Sequence, residues 1–211
     1  KNSIPISVTE SGETLWAGSC SWIENFPMAG SGPVQFEGNK WTSVDFPASG
    51  ECILHLEGTS DGMIWVSTPD ALWRGDLNAG EWERFALPER NDVSSLVQLI
   101  ENLTISPEGI PWLLVSSRQA DKPYDTILYR LIHGEFMPVR KYTSLASQRL
   151  FFSDEATYSF ENGYLYELKN DSWRLVISDK IDLVTVDSLG QLWVMTGVKH
   201  SPVLWKILLY P

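Results

Sequence analysis

Five carboxylates, Glu51, Glu57, Glu101, Asp154 and Asp182, flank or punctuate short apolar segments, and any acid–base chemistry in this chain would have to be built from them. Cleaving a glycosidic bond needs two such groups roughly 5 to 10 Å apart. No spacing in the sequence singles out a pair, and acidic residues at segment ends more often form turns. Gly58-Thr59-Ser60-Asp61-Gly62 matches the G-x-S-x-G pattern of a nucleophile elbow, which works where a strand turns sharply into a helix. Here it leads into the strand-like run Met63-Ile64-Trp65-Val66, so it reads as a hairpin turn. His55, His133 and His200 fall in different segments, predicted as an inner strand, a turn and a loop. A metal needs three or four converging ligands, so neither a metal nor a cofactor is expected. Cys20 and Cys52 follow and begin predicted strands whose ends share one side of neighbouring units. That placement allows a disulfide, and two separate buried thiols are the alternative.

The whole chain sets limits on these groups. Its 211 residues hold 16 Lys and Arg against 27 Asp and Glu, a formal charge of −11. Nucleic acid or an anionic membrane would have to be met by clustered cations, so both are excluded as partners. No apolar run approaches the roughly 18 to 20 residues that span a bilayer, and Lys1-Asn2-Ser3-Ile4-Pro5 lacks a signal peptide's apolar stretch. The expectation is a soluble chain without membrane insertion, any export signal already removed. Ten Trp, seven Tyr and eight Phe, with Gly and Pro in short clusters, favour many short strands over helices.

Those strands recur. A polar turn enters an apolar strand through an aromatic at Trp16, Trp65, Trp112, Tyr158 and Trp193, at intervals of 49, 47, 46 and 35 residues. The Tyr158 copy, Ser153-Asp154-Glu155-Ala156-Thr157-Tyr158, has lost its Gly. A second phrase follows each lead aromatic: an aromatic strand, a polar turn and another aromatic strand. Examples are Ala71-Leu72-Trp73-Arg74, Asn78-Ala79-Gly80-Glu81, Trp82-Glu83-Arg84-Phe85, and likewise Ile127 to Val139, Tyr164 to Val176 and Val34 to Val44. Gly, Asn and Asp at these turns tolerate the positive φ angles that tight hairpins demand. Each unit is therefore predicted to be a four-stranded antiparallel meander.

Four strands recurring every 40 to 50 residues or so are the sequence signature of β-propeller blades. The predicted fold is all-β, a propeller of five four-stranded repeats in one domain spanning 1–211. The repeats run approximately 4–47, 51–88, 97–141, 148–178 and 180–211. Val203-Leu204-Trp205-Lys206 reads as strand three of the fifth unit, so the last blade is expected to lack its outer strand. The edge left at Leu208, Leu209 and Tyr210 would then need covering, by the N-terminal residues, a second copy or a longer parent chain. Between the second and third units, Val93, Leu96, Val97 and Ile100 have helical spacing and suggest a short helix, with the next inner strand as the competing reading.

The phrases Asp61-Gly62-Met63-Ile64-Trp65-Val66, Ala71-Leu72-Trp73-Arg74 and Leu189-Gly190-Gln191-Leu192-Trp193-Val194 resemble the two-component regulator propeller repeat of bacterial sensor regions. The resemblance covers most of the chain as five imperfect copies. It implies a sensing or scaffolding role outside the cytoplasm and lends no catalytic residues. We therefore expect a non-catalytic module that binds a peptide, glycan or partner protein. The predicted surface is the side where loops between strands two and three and between successive units gather. Its candidate residues are Trp22, Glu24, Phe26, Arg90, Arg118, Asp121, Tyr124, Lys199 and His200, exposed aromatics beside charged groups. The alternative is a carbohydrate-active propeller, lectin-like or hydrolytic, because five-bladed propellers include glycosidases with inward-pointing carboxylates.

Overall fold

The computed structural model describes residues 4–11, 14–23, 26–59, 61–76, 80–88, 97–118, 125–142, 148–153, 156–177, 180–187, 191–196 and 203–206, with side chains at all of these except 4–11, 22–23, 26–28, 97, 118 and 148. Every regular element among them is a β-strand. The chain forms two compact units, Lys1–Ser144 and Leu145–Pro211.

Three sheets make up the first unit. The first contains β1 (Ile4–Ser11), β2 (Thr14–Ile23), β3 (Phe26–Ala29), β4 (Val34–Glu37) and β5 (Lys40–Ser43), in the order β1-β2-β4-β5 with β3 paired to the far end of β2. The second is β6 (His55–Gly58), β7 (Met63–Ser67), β8 (Ala71–Asp76) and β9 (Glu81–Ala86); the third is β10 (Val97–Ile105), β11 (Pro111–Arg118), β12 (Asp125–Ile132) and β13 (Glu135–Tyr142). The second unit holds β14 (Gln148–Phe152), β15 (Thr157–Glu161), β16 (Tyr164–Lys169) and β17 (Ser172–Ile177) in one sheet, and β18 (Leu183–Val186), β19 (Leu192–Thr196) and β20 (Val203–Lys206) in another. Each sheet is an antiparallel meander in chain order, the blade unit of a β-propeller. The fifth has three described strands, and its edge strand β20 exposes Leu204 and Trp205 by more than half. Leu208, Leu209 and Tyr210 lie outside the described residues.

Turn chemistry explains why the meander repeats. The hairpins joining third and fourth strands have positive φ at Gly38 and Asn39, at Gly80, at His133 and Gly134, and at Asn170 and Asp171, the positions the sequence marks. The turns joining first and second strands share a backbone clasp. Thr59 N–H donates to the Met63 carbonyl, Ser106 to Ile110 and Asp187 to Gln191, each four residues on. In the copy without Gly the clasp runs from Ser153 to Ala156, one residue tighter. Side chains reinforce it, since Asp187 accepts from the Gln191 amide at 2.9 Å and from Trp193 Nε1 at 2.8 Å.

Two expectations are corrected. The segment after strand two that holds Trp22 and Phe26, expected as a loop, is strand at both residues: β2 runs past the sheet and pairs with β3, with Ser21 Oγ donating to the Ala29 carbonyl at 3.0 Å. Val97 and Ile100 are in β10, not in a helix: pairing with β11 begins at Val97 and buries Ile100 between sheets. Val93 and Leu96 lie outside the described residues.

Within the first unit the sheets interlock through both faces of the second. Leu56, Ile64, Val66, Ala71 and Trp73 join Trp16, Phe46 and Ile53 in one cluster. On the opposite face, Trp65 and Leu72 join Ile100, Leu103, Leu113, Val115, Tyr129 and Leu131. Cys20 and Cys52 form a disulfide with Cα atoms 4.5 Å apart, which settles the open alternative and ties β2 to the chain entering β6. The Ile53 amide donates to the Ser19 carbonyl beside it, at 3.1 Å. Gly18 makes this approach possible, since a Cβ there would fall 2.3 Å from Ile53 Cγ2.

Candidate functional site

Register places one row of side chains across the second sheet. Glu57 pairs with Trp65, Trp65 with Arg74 and Arg74 with Glu83, and cross-strand partners share a face. That face is the one turned to the third sheet. The Arg74 guanidinium lies over the Trp65 ring, 5.8 Å from its centroid, and the Phe85 ring packs against the same indole at 5.7 Å. Trp65 is only 6% exposed, so its ring is a floor, not an open platform.

Above this row the two sheets part into a cleft of about 740 Å³. Its walls come from the β6–β7, β10–β11 and β12–β13 hairpins. They supply Thr59, Asp61 and Met63; Ile105 to Pro111; and Leu131, His133 and Gly134. Arg74, Glu83 and Phe85 complete it. Thr59 Oγ1 donates to the Asp61 carboxylate, and this bond, the Met63 amide and the charge of Arg74 hold Asp61 below its ordinary value despite slight burial. Among the described residues the side chains of Arg74, Glu83 and Glu108 make no hydrogen bond or ion pair, although the charge of Arg74 acts on Asp61, and all three line the cleft.

A second polar group sits on the inner strands β6 and β10. His55 Nε2 bonds to the Ile100 carbonyl at 3.0 Å, which requires the proton on Nε2. Burial lowers its pKa, opposed by that bond and by the charge of Glu101. Two residues on, burial alone pushes the Glu57 carboxyl up to about 7. Glu101 accepts a hydrogen bond from Ser116 Oγ, itself buried on β11. Of the five carboxylates singled out from sequence, Glu57 and Glu101 thus lie on neighbouring inner strands. Glu51 instead lies beside Thr68, Asp70 and Arg84 near the β7–β8 turn, where burial and the Asp70 charge raise it. Asp182 belongs to the second unit, and Asp154 lies outside the described residues. Among the described residues no three His, Cys, Asp or Glu side chains gather as a metal site.

The residues predicted to bind from the loops fall elsewhere. Trp22 is in β2 opposite Pro27, Phe26 opens β3 opposite Ile23, and Arg118 ends β11 opposite Val97. Glu24, Arg90, Asp121, Tyr124, Lys199 and His200 lie outside the described residues. In a meander, turns alternate between two edges of the sheet. The cleft is formed by first–second and third–fourth hairpins, so in the first unit it occupies the edge opposite Trp22, Phe26 and Arg118. Its key residues were visible in the sequence as repeat markers: Trp65 is a lead aromatic and Arg74 ends a Leu-Trp-Arg phrase. Their pairing recurs, with Trp112 opposite Arg130 and Tyr158 opposite Glu167.

No protein-family model and no curated protein sequence matches the chain. Solved structures do. The extracellular domain of a protein described as a hybrid two-component system, from B. thetaiotaomicron, shares 18% identity at a TM-score of 0.61, over 95% of this chain and 27% of that one. A catalytically inactive virginiamycin B lyase from Staphylococcus aureus, solved with quinupristin, gives 13% identity and 0.55 over 97% of this chain and 70% of that one. Porphyromonas gingivalis dipeptidyl peptidase 4 gives 9% and 0.61, over 93% and 37%. At these identities the likeness establishes the fold. The chain spans about a quarter of the length of the two-component system domain.

Proposed function

We propose that this chain is a non-catalytic β-propeller sensing module that recognises a ligand or partner outside the cytoplasm. The observation that carries the reading is the cleft between the second and third sheets: it is preformed, bounded by interlocked hydrophobic clusters, and lined with charged side chains that make no ion pair, over the indole of Trp65. The likeness to an extracellular domain of a two-component system supports it. The Cys20–Cys52 disulfide supports an oxidising compartment, since such bonds persist chiefly in secreted and periplasmic proteins. Among the described residues no helix is long and apolar enough to cross a membrane. We assign to the opposite edge, with Trp22, Phe26 and Arg118, a second contact surface for a partner protein, and treat the five repeats as one functional domain.

The test is a thermal-shift screen of peptides and glycans against the wild type and an Ile110→Lys variant, which places a long charged chain at the cleft mouth. At least one compound should raise the melting temperature of the wild type and not of the variant. A screen with no such compound, or with identical shifts in both proteins, overturns the reading.

A second reading, a glycoside hydrolase, is favoured by one observation: burial pushes Glu57 up to about 7, the direction a general acid needs, and Glu101 lies on β10, which contacts β6 from the next sheet. Turnover of aryl glycosides that disappears in Glu57→Gln would establish it in place of the sensing role.

A further inference from the structure

We propose that the cleft binds a short peptide with free ends, its carboxylate held by Arg74 and its ammonium by the acidic rim of Glu83 and Glu108. This rests on the sensing reading above and deepens it to a ligand class. The argument begins with Arg74. The guanidinium lies over the Trp65 ring, 5.8 Å from its centroid, beside the charge of Asp61, and its N–H groups, hydrogen-bonded to no described residue, form the planar fork that matches a carboxylate. Glu83, opposite it on β9, and Glu108, at the β10–β11 turn, carry the opposite charge and are exposed. A purely anionic ligand would meet these carboxylates and the −11 charge of the chain; a purely cationic one would meet Arg74. A zwitterion satisfies both.

The floor decides between a peptide and a sugar. Sugar rings stack on open aromatic faces, but Arg74 and Phe85 already cover the indole of Trp65. What remains open is mixed and irregular, with Met63, Phe85, Ile105 and Ile110 forming the apolar part of the lining between the charged and polar groups. Aliphatic side chains fit such a surface. A volume of about 740 Å³ is large enough for a few residues.

The experiment is calorimetric titration with alanyl-alanyl-leucyl-leucine, whose only cation is its N-terminus, its C-terminal amide, its N-acetyl form and a maltotetraose control. The free peptide should bind, and amidation or the Arg74→Gln substitution should each weaken it about tenfold, the two losses not adding. Glu108→Gln, at an exposed turn that does not bear on folding, should weaken the free peptide several-fold and leave the N-acetyl form unaffected. Equal affinity for free and amidated peptide, or affinity indifferent to both substitutions, overturns the proposal. Binding of maltotetraose in place of the peptide, abolished by Ile110→Lys, overturns the ligand class and leaves the sensing role standing. If neither the peptides nor maltotetraose bind, the proposal falls, and the wider thermal-shift screen then decides the sensing role.

Discussion

Replacing Glu57 by Gln should make the protein more stable, and only above mildly acidic pH. Burial lifts this carboxyl from the ordinary 4.5 to about 7. In the unfolded chain it ionises near its ordinary value, so between those limits the folded state holds a proton that the unfolded state has released, and stability falls as pH rises. Below the window both states are neutral and nothing is lost; above it both are ionised and the full cost is present. A gap of about 2.5 in pKa corresponds to about 3 kcal/mol, and partial access to water brings this to about 2 kcal/mol. Gln keeps the size and cannot ionise. His55 works in the other direction, its burial costing stability as pH falls below 6.5, but it is present in both proteins and cancels in their difference. Arg74 and Glu83, further along the same row, and Glu101 on β10 are likewise unchanged. Urea unfolding followed by tryptophan fluorescence should therefore show less than about 0.5 kcal/mol between variant and wild type at pH 4.5, and about 2 kcal/mol in favour of Glu57→Gln at pH 8. A difference that does not change with pH would refute the argument.

Two further outcomes follow from the packing of the first and second sheets. Removing the disulfide with Cys20→Ala and Cys52→Ala releases a loop closed across a sequence separation of 32, and should cost about 3 kcal/mol, read as a lowered urea midpoint that dithiothreitol reproduces in the wild type. Gly18→Ala forces a methyl into Ile53 and should cost about 1 to 3 kcal/mol, with a second substitution, Ile53→Ala, which removes the clashing Cγ2, giving a double mutant less destabilised than the sum of the two single losses in a double-mutant cycle.

Strand content and repeat order were legible because they depend on local chemistry. Asn39, His133, Gly134, Asn170 and Asp171 have the positive φ that their turns require, and each lead aromatic lies in the second strand of its sheet. The loss of Gly from the Ser153 turn was also legible, and the structure shows its consequence as a shorter clasp. What could not be read was anything set by how far a strand runs. Ser21 to Met28 carries Pro27 and looks like a loop, yet β2 is long enough to carry its own return strand. Val97 and Ile100 satisfy a helical period and a strand period alike, and only pairing with β11 decides between them. The cleft escaped notice for a related reason. Glu57, Trp65, Arg74 and Glu83 are distant in sequence and meet only through register, which follows from turn lengths that the sequence fixes one hairpin at a time.

The two edges of these sheets are built differently, and this bears on where recognition belongs. On the cleft edge the β6–β7 and β10–β11 turns close over four residues with the same backbone bond, and the β12–β13 hairpin closes with His133 and Gly134. Short clasped turns lose little conformational freedom when a ligand arrives, so the charges they carry are already in place. On the other edge the β2–β3 excursion of the first sheet has no counterpart among the described residues of the other sheets, which suits contacts that vary between relatives. A rigid edge selects a small ligand by fixed charge geometry; a variable edge suits a larger partner. If small-ligand binding proved insensitive to Arg74 and Glu108 but was lost on replacing Trp22 and Phe26, that division would be reversed, and the shortness of a hairpin would be no guide to where this fold recognises its ligand.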